Sequence, residues 1–238
     1  MSGHSHFKTV KATKDANDAK KGKIFSKLAR VITVAVKEKG ADTSTNAQLK
    51  TLIEKAKEFN MPKENIERAI KKGTGELAGE NLEEVSFEGF GPAGSAIIME
   101  GITDNKNRTL GEIKGILSQY GGKMAGEGAV TWMFERKGFI AIDYQGKSKD
   151  ELELLAIEVG AQDIAPQDSA LYIYTKPEDL EKIKKALEEK NLNIEEANLN
   201  WVPKEEISLD EKGKEQNQKL FEALDENDAI QNIYSNLK

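Results

Sequence analysis

The chain has 238 residues, 38% of them apolar and 32% charged, a composition that suits two or three soluble domains with wet surfaces. It contains no cysteine, which excludes disulfides, thiolate catalysis and cysteine-ligated metal centres. With no run of the ~20 apolar residues that spans a bilayer and no secretory leader, the expected location is the cytoplasm. The formal net charge of -6 conceals an imbalance, because residues 1–77 carry 17 Lys/Arg against 9 Asp/Glu while the rest carry 18 against 32.

Residues 1–14 offer few large apolar groups beyond Phe7 and Val10, too little burial to offset ordering entropy, and are expected to form a mobile arm. From about Ala16 to Lys39, Ile24, Leu28, Val31, Ile32 and Ala35 recur at helical steps. At ~100° per residue, Lys20, Lys23, Lys27, Arg30 and Lys37 gather on a separate arc. A second helix is expected from about Asn46 to Phe59 behind a Thr45…Gln48 capping box. A third begins with Pro62 at its first position and stops at Gly73. Three helices on short loops can share one core, so residues 1–77 read as a basic helical domain.

Beyond Gly73–Gly79 the period becomes strand-like. Strands are expected at Leu82–Phe87 and Ser95–Ile102, a helix at Asn107–Tyr120, and a strand at Gly128–Arg136 paired with Lys123–Ala125. A new cycle follows: strand Phe139–Tyr144, helix Ser148–Val159, strands near Asp163–Ala165 and Leu171–Thr175, helix Pro177–Lys190 and strand Ile194–Val202. That β-α-β-β-α-β order is the ferredoxin-like one. Helix Lys212–Glu226 and strand Ala229–Tyr234 are what the segment 95–136 lacks to finish the same order. The expected fold is therefore multi-domain α+β: a three-helix domain, then two ferredoxin-like α+β domains. Residues 137–203 are inserted into a discontinuous domain made of 78–136 and 204–238.

Enzyme motifs fail on context. Gly89-Phe90-Gly91-Pro92-Ala93-Gly94 matches G-x-G-x-x-G, but it lies between two expected strands and Pro92 removes a backbone donor, so it reads as a turn. Gly146-Lys147-Ser148 resembles the end of a phosphate-binding loop without its first glycine, Ala141 standing there; it reads as a solvated turn with Ser148 capping a helix. His4 and His6, the only histidines, lie in the arm, where no rigid triad can use them. A planar nitrogen site for Cu(II) or Ni(II) at the amino terminus with His4 would be adventitious, so no metal or cofactor is expected. Glu83-Glu84 and Glu195-Glu196 read as solvated charges, not as a catalytic pair. The chain reads as a non-enzyme.

The basic face is what remains. A charged helix face is ordinarily just hydrated. Here the arc is nearly all of one sign, continues into the arm, and belongs to a protein whose remainder is acidic. Lys8, Lys11, Lys14, Lys20, Lys23, Lys27 and Arg30 are the expected nucleic-acid contacts, tracking a phosphate backbone. Lys106 and Arg108, in a turn ahead of a helix whose amides also favour anions, are a second-domain candidate against plain loop solvation. Lysine outnumbers arginine, which favours phosphate contact over base reading and predicts low sequence specificity.

Several blocks resemble the YebC family: Gly3-His4-Ser5, Ala19-Lys20-Lys21-Gly22-Lys23-Ile24-Phe25-Ser26-Lys27-Leu28, and Asn60-Met61-Pro62-Lys63-Glu64-Asn65-Ile66-Glu67-Arg68-Ala69-Ile70. So do Phe87-Glu88-Gly89-Phe90-Gly91-Pro92, Thr103-Asp104-Asn105-Lys106-Asn107-Arg108-Thr109 and Ile230-Gln231-Asn232-Ile233-Tyr234. The resemblance covers the whole chain; Phe7 and His6 stand where the family commonly has tryptophan and lysine. It implies a cytoplasmic protein with a basic helical domain and two α+β domains. Family members are described as DNA-binding transcriptional regulators. Others are similar to the mitochondrial translational activator of cytochrome oxidase subunit I, act at the ribosome, and help synthesis through difficult stretches such as proline runs; in that alternative the same lysines are expected to meet ribosomal or transfer RNA. Both readings make nucleic acid the partner.

Overall fold

The computed structural model describes residues 18–238 apart from 80, 145 and 168, with side chains from Lys21 onward. The arm expected over residues 1–14, with both histidines, lies outside the described residues. Helices α1 (Asp18–Lys39), α2 (Ala47–Glu58) and α3 (Lys63–Thr74) come first. Their apolar periodicity closes into one core, in which Leu28, Ile32 and Val36 of α1 meet Leu49, Ala56, Ile66 and Ala69, with Met61 from the α2–α3 turn. Each aliphatic side chain so buried contributes roughly 1.5–3 kcal/mol.

Two helix boundaries differ from expectation for identifiable reasons. The cap of α2 is Asn46, not Thr45. Its buried amide accepts from Leu49 N at 3.0 Å and donates to Ala35 O and Gly40 O at 2.9 and 2.8 Å. One hydroxyl cannot make three such bonds, and Thr45 instead donates to Asp42 O. Gly73 does not stop α3, which runs on to Thr74 and ends at Gly75 in the left-handed conformation. A Cβ on Gly73 would lie 2.6 Å from Val36 Cβ and 2.7 Å from Thr33 O. The glycine is there because α1 and α3 touch backbone to backbone, a contact that Thr33 spans by donating to Ala69 O at 3.1 Å.

The first sheet has the order β3-β1-β2-β8, built from β1 (Glu83–Phe90), β2 (Ala96–Thr103), β3 (Lys123–Met124) and β8 (Ile230–Ser235). Helices α4 (Lys106–Gln119) and α7 (Glu211–Asp225) cover one face. Ile113, Leu117, Leu220 and Leu224 pack there on Val85, Phe87, Ile97, Met99, Ile230 and Ile233. Val85 with Phe87 and Ile97 with Met99 show the period-two pattern of a sheet with one face on its helices.

The strand expected at Gly128–Arg136 does not form as such. Residues 128–133 are turns and a short 3-10 segment, and the strand begins at Phe134. The cause is Glu88, whose carboxylate takes the N–H groups of Gly128, Val130 and Thr131 at 2.6, 2.5 and 2.9 Å. A ladder would have needed those donors. The vacant place in the sheet belongs to β1, which pairs antiparallel with both β2 and β3. The ferredoxin-like spatial order is thus reached with a strand that precedes the others in sequence.

The second sheet, β5-β6-β4-β7, follows the expected cycle. It comprises β4 (Phe134–Asp143), α5 (Lys149–Glu158), β5 (Asp163–Pro166), β6 (Ala170–Thr175), α6 (Leu180–Glu189) and β7 (Ile194–Pro203). Ile140, Ile142, Leu171 and Ile173 bury under Leu152, Ala156, Ile183 and Leu187 of the two helices. Residues 132–206 form one compact unit. The preceding residues and 207–238 form the other, so the helical core and the first sheet belong together.

Candidate nucleic-acid interface

The sequence-predicted cations have unequal fates. Lys8, Lys11 and Lys14 lie outside the described residues; Lys20 is on α1, but its side chain is not among those described. The remaining members of the α1 arc all meet oxygens of the same unit. Lys23 pairs with Glu226. Lys27 Nζ lies 2.5 Å from the Asp225 carboxylate and donates to the Asp225 carbonyl at 2.9 Å. Arg30 donates to Ile102 O at 2.9 Å, and Lys37 to Asn81 Oδ1 at 2.7 Å.

Why α1 turns its cations inward is visible in what lies between them. Val34 interrupts the basic arc and, with Val31 on its border, packs with Leu82 and with Ile102 near the end of β2. They draw that side of the helix onto β2, and the lysines beside them reach the C-terminal end of α7. There the free carbonyls and the Asp225 and Glu226 carboxylates are jointly attractive to ammonium groups. The Lys27 side chain is more enclosed than that of Lys23, 12% exposed against 37%, and faces an Asp225 side chain 25% exposed. The two valines are the sequence signal that could have announced this.

The second-domain candidate is also partnered. Asn105 caps α4 by accepting from Arg108 N at 3.0 Å. The Arg108 guanidinium lies 2.5 Å from Asp104 and 3.7 Å from Glu112. Arg108 holds the Asp104 carboxyl below the usual carboxylate range by its hydrogen bond, with a lesser contribution from the Arg30 charge. Lys106, at the first position of α4, is exposed.

Exposed cations gather elsewhere on the helical core. Lys50 and Lys57 lie on the outer side of α2, and Arg68, Lys71 and Lys72 on that of α3. Arg68, Lys71 and Lys72 stand at i, i+3 and i+4, so three like charges share one face near the helix end. In the sequence they are the non-apolar steps of Ile66-Glu67-Arg68-Ala69-Ile70-Lys71-Lys72, where Glu67 makes the run less uniform in sign than the arc of α1.

The motifs set aside on context behave as structural parts. Of the run read as a turn, Gly89 and Phe90 belong to β1, residues 91–95 form the turn to β2, and the carboxamide of Asn217 on α7 reaches it. That amide accepts from Ser95 Oγ at 2.6 Å and donates to Pro92 O at 3.0 Å. A Cβ on Gly91 would lie 2.7 Å from Asn217 Oδ1, which explains the glycine. Ser148 caps α5, and Lys147 lies 3.7 Å from Glu151. The Glu88 carboxyl, unnoticed in the sequence, is opposed by burial, which raises its pKa. The three backbone donors outweigh that and hold it below the ordinary range. Among the described residues no three His, Asp or Glu side chains are grouped to hold a metal ion, and no helix is long and apolar enough to cross a membrane.

Profiles of known families match almost end to end: the TACO1/YebC protein N-terminal domain over residues 5–76, and the TACO1/YebC second and third domain over residues 82–237. The chain belongs to the YebC family. A YebC relative from Thermoanaerobacter pseudethanolicus is 48% identical, covering 100% of this chain and 97% of its own. Another, from Caldanaerobacter subterraneus, is 46% identical over 100% of this chain and 98% of its own. Both bear the name "probable transcriptional regulatory protein". The crystal structure of a conserved hypothetical protein from Aquifex aeolicus is similar with a TM-score of 0.85 and 44% identity. The match covers 93% of this chain and 91% of that one.

Proposed function

We propose that this YebC-family protein is a non-enzymatic, cytoplasmic, DNA-binding transcriptional regulator whose N-terminal region grips the phosphate backbone. The observation that carries the reading is the +8 charge of residues 1–77 beside a remainder at -14, with Lys50, Lys57, Arg68, Lys71 and Lys72 exposed on the helical core. Like charges three and four residues apart cost a helix a few tenths of a kcal/mol, a repulsion that bound phosphates relieve. Lys8, Lys11, Lys14 and Lys20 extend the same charge ahead of the core, and Lys106 offers a further contact. Lysine's compact charge suits backbone contact more than base reading, so affinity depends on salt more than on sequence. The regulatory names of the relatives support the class.

The test is a titration of the full chain onto duplex DNA at several salt concentrations. Log K is expected to fall against log salt with a slope of about −0.9 per phosphate neutralised. No binding at low salt, or binding indifferent to salt, overturns the proposal. The absence of any base-reading motif fits the phosphates of ribosomal or transfer RNA equally well, and a ribosome-associated factor that relieves stalls at proline runs is the second reading. Sequencing nucleic acid crosslinked to the protein in cells separates them: genomic DNA supports the first, ribosomal or transfer RNA transfers the function to the second.

A further inference from the structure

Lysines of the α1 arc are already held by anionic oxygens of their own chain. The Lys27 ammonium sits between the carboxylate and carbonyl oxygens of Asp225, and the Lys23 ammonium on the Glu226 carboxylate. Chemically this is what a phosphate diester offers: clustered oxygens bearing negative charge, presented to an ammonium with charge-assisted hydrogen bonds. The negative end of the α7 dipole adds to it.

We propose that Asp225 and Glu226 are a built-in phosphate mimic, an autoinhibitory latch that occupies Lys23 and Lys27 until a nucleic-acid backbone displaces it. The inference rests on the nucleic-acid binding proposed above and adds its regulation. The latch is graded. Its outer pair is open to water, with Lys23 and Glu226 side chains 37% and 59% exposed, while the inner pair is largely enclosed at 12% and 25%. A polyanion that engages the exposed Lys21 meets the weaker, screened pair first. Among the described residues the apolar group beside it is Val31, Val34, Leu82 and Ile102, and the charged pairs act together with it to keep this side of α1 occupied. While the latch is shut, fewer phosphates are neutralised than the lysine count of the region allows, and the salt slope is correspondingly shallow.

The experiment uses the full chain and a short DNA duplex at several salt concentrations. The variant D225N/E226Q is expected to bind about tenfold more tightly at 0.1 M salt, with the slope steeper by about 2 as two more phosphates are neutralised. Adding K23Q/K27Q to that variant is expected to return the slope to its original value. If the gain survives K23Q/K27Q, it came from removing two negative charges in general, and the latch is overturned. Wild-type binding with no change in D225N/E226Q overturns the latch and leaves nucleic-acid binding standing; no binding by any form at low salt removes both. Should the double variant melt below the assay temperature, E226Q alone, acting on the exposed pair, is expected to give about half the change in slope. No change in E226Q then overturns the latch.

Discussion

The arc of α1 and the outer face of α3 are both rich in cations, yet they live in different electrical surroundings. On α1, Lys23, Lys27 and Arg30 reach carboxylates and a carbonyl of the adjoining sheet domain; on α3, Arg68, Lys71 and Lys72 face water. The difference teaches that a count of like charges on a helix face says nothing of where the counter-charges are. Lys27 and Asp225 are 198 positions apart in sequence, and no local pattern connects them. What separates the two faces is the pair of valines on α1, for which the third helix has no counterpart among its cations.

The comparison breaks most sharply at Lys27. Truncation to alanine leaves the Asp225 carboxylate without its enclosed partner and is expected to lower stability by about 3 kcal/mol, read by chemical denaturation. A loss under half a kcal/mol would put Lys27 in the same class as the exposed α3 cations. Gly73→Ala tests the packing that fixes which side of α1 faces outward. The added methyl meets Val36 and a backbone carbonyl, and roughly 2 kcal/mol of destabilisation is expected. Glu88→Gln sharpens the contrast between enclosed and hydrated charge at about 1–2 kcal/mol, because one of the two accepting oxygens becomes an NH2 group and at least one of the three backbone donors loses its acceptor. Since the folded Glu88 carboxyl titrates below its ordinary value of 4.5, its stabilisation is present above that value. It is lost as pH falls through the folded one. The difference in stability between wild type and Glu88→Gln should therefore shrink below pH 4.5; a difference that stays constant down to strong acid would show that the charge is not the cause. The smallest effect on stability is expected for Arg68→Gln/Lys71→Gln/Lys72→Gln, within about 0.5 kcal/mol or slightly stabilising. The same variant should flatten the salt slope of nucleic-acid binding by close to 3.

Much of the fold was legible because its signals are local. Apolar steps placed α1 to α3, and Ser148 marks the start of α5 by its own side-chain bond; the turn expected over Asn105–Arg108 is instead the cap and first turn of α4. The β-α-β-β-α-β run of the second sheet is written in sequence order. The membership of the first sheet was harder, since β1 hairpins with β2 and fills a place that residues 128–136 were expected to take. That choice depends on Glu88 drawing three amides 40 or more positions away. Similarly, Asn46 outcompetes Thr45 as a cap only because the end of α1 supplies acceptors for its amide. In the candidate interface, the basic character of the helical core was plain from composition. Which of its cations face outward was not, because that is decided by long-range packing.

The edge of β2 that accepts β8 is completed by residues made long after β2 itself. Ile97 to Gly101 pair with residues 230–235, after the whole of the 132–206 unit has been made. During synthesis the nascent chain therefore carries an open, largely apolar strand edge for as long as that unit takes to emerge, the circumstance in which edges recruit wrong partners. The self-contained 132–206 unit can meanwhile close its own sheet. Residues 230–235 thus act as the seal on β2, laid down only once the 132–206 unit has been made.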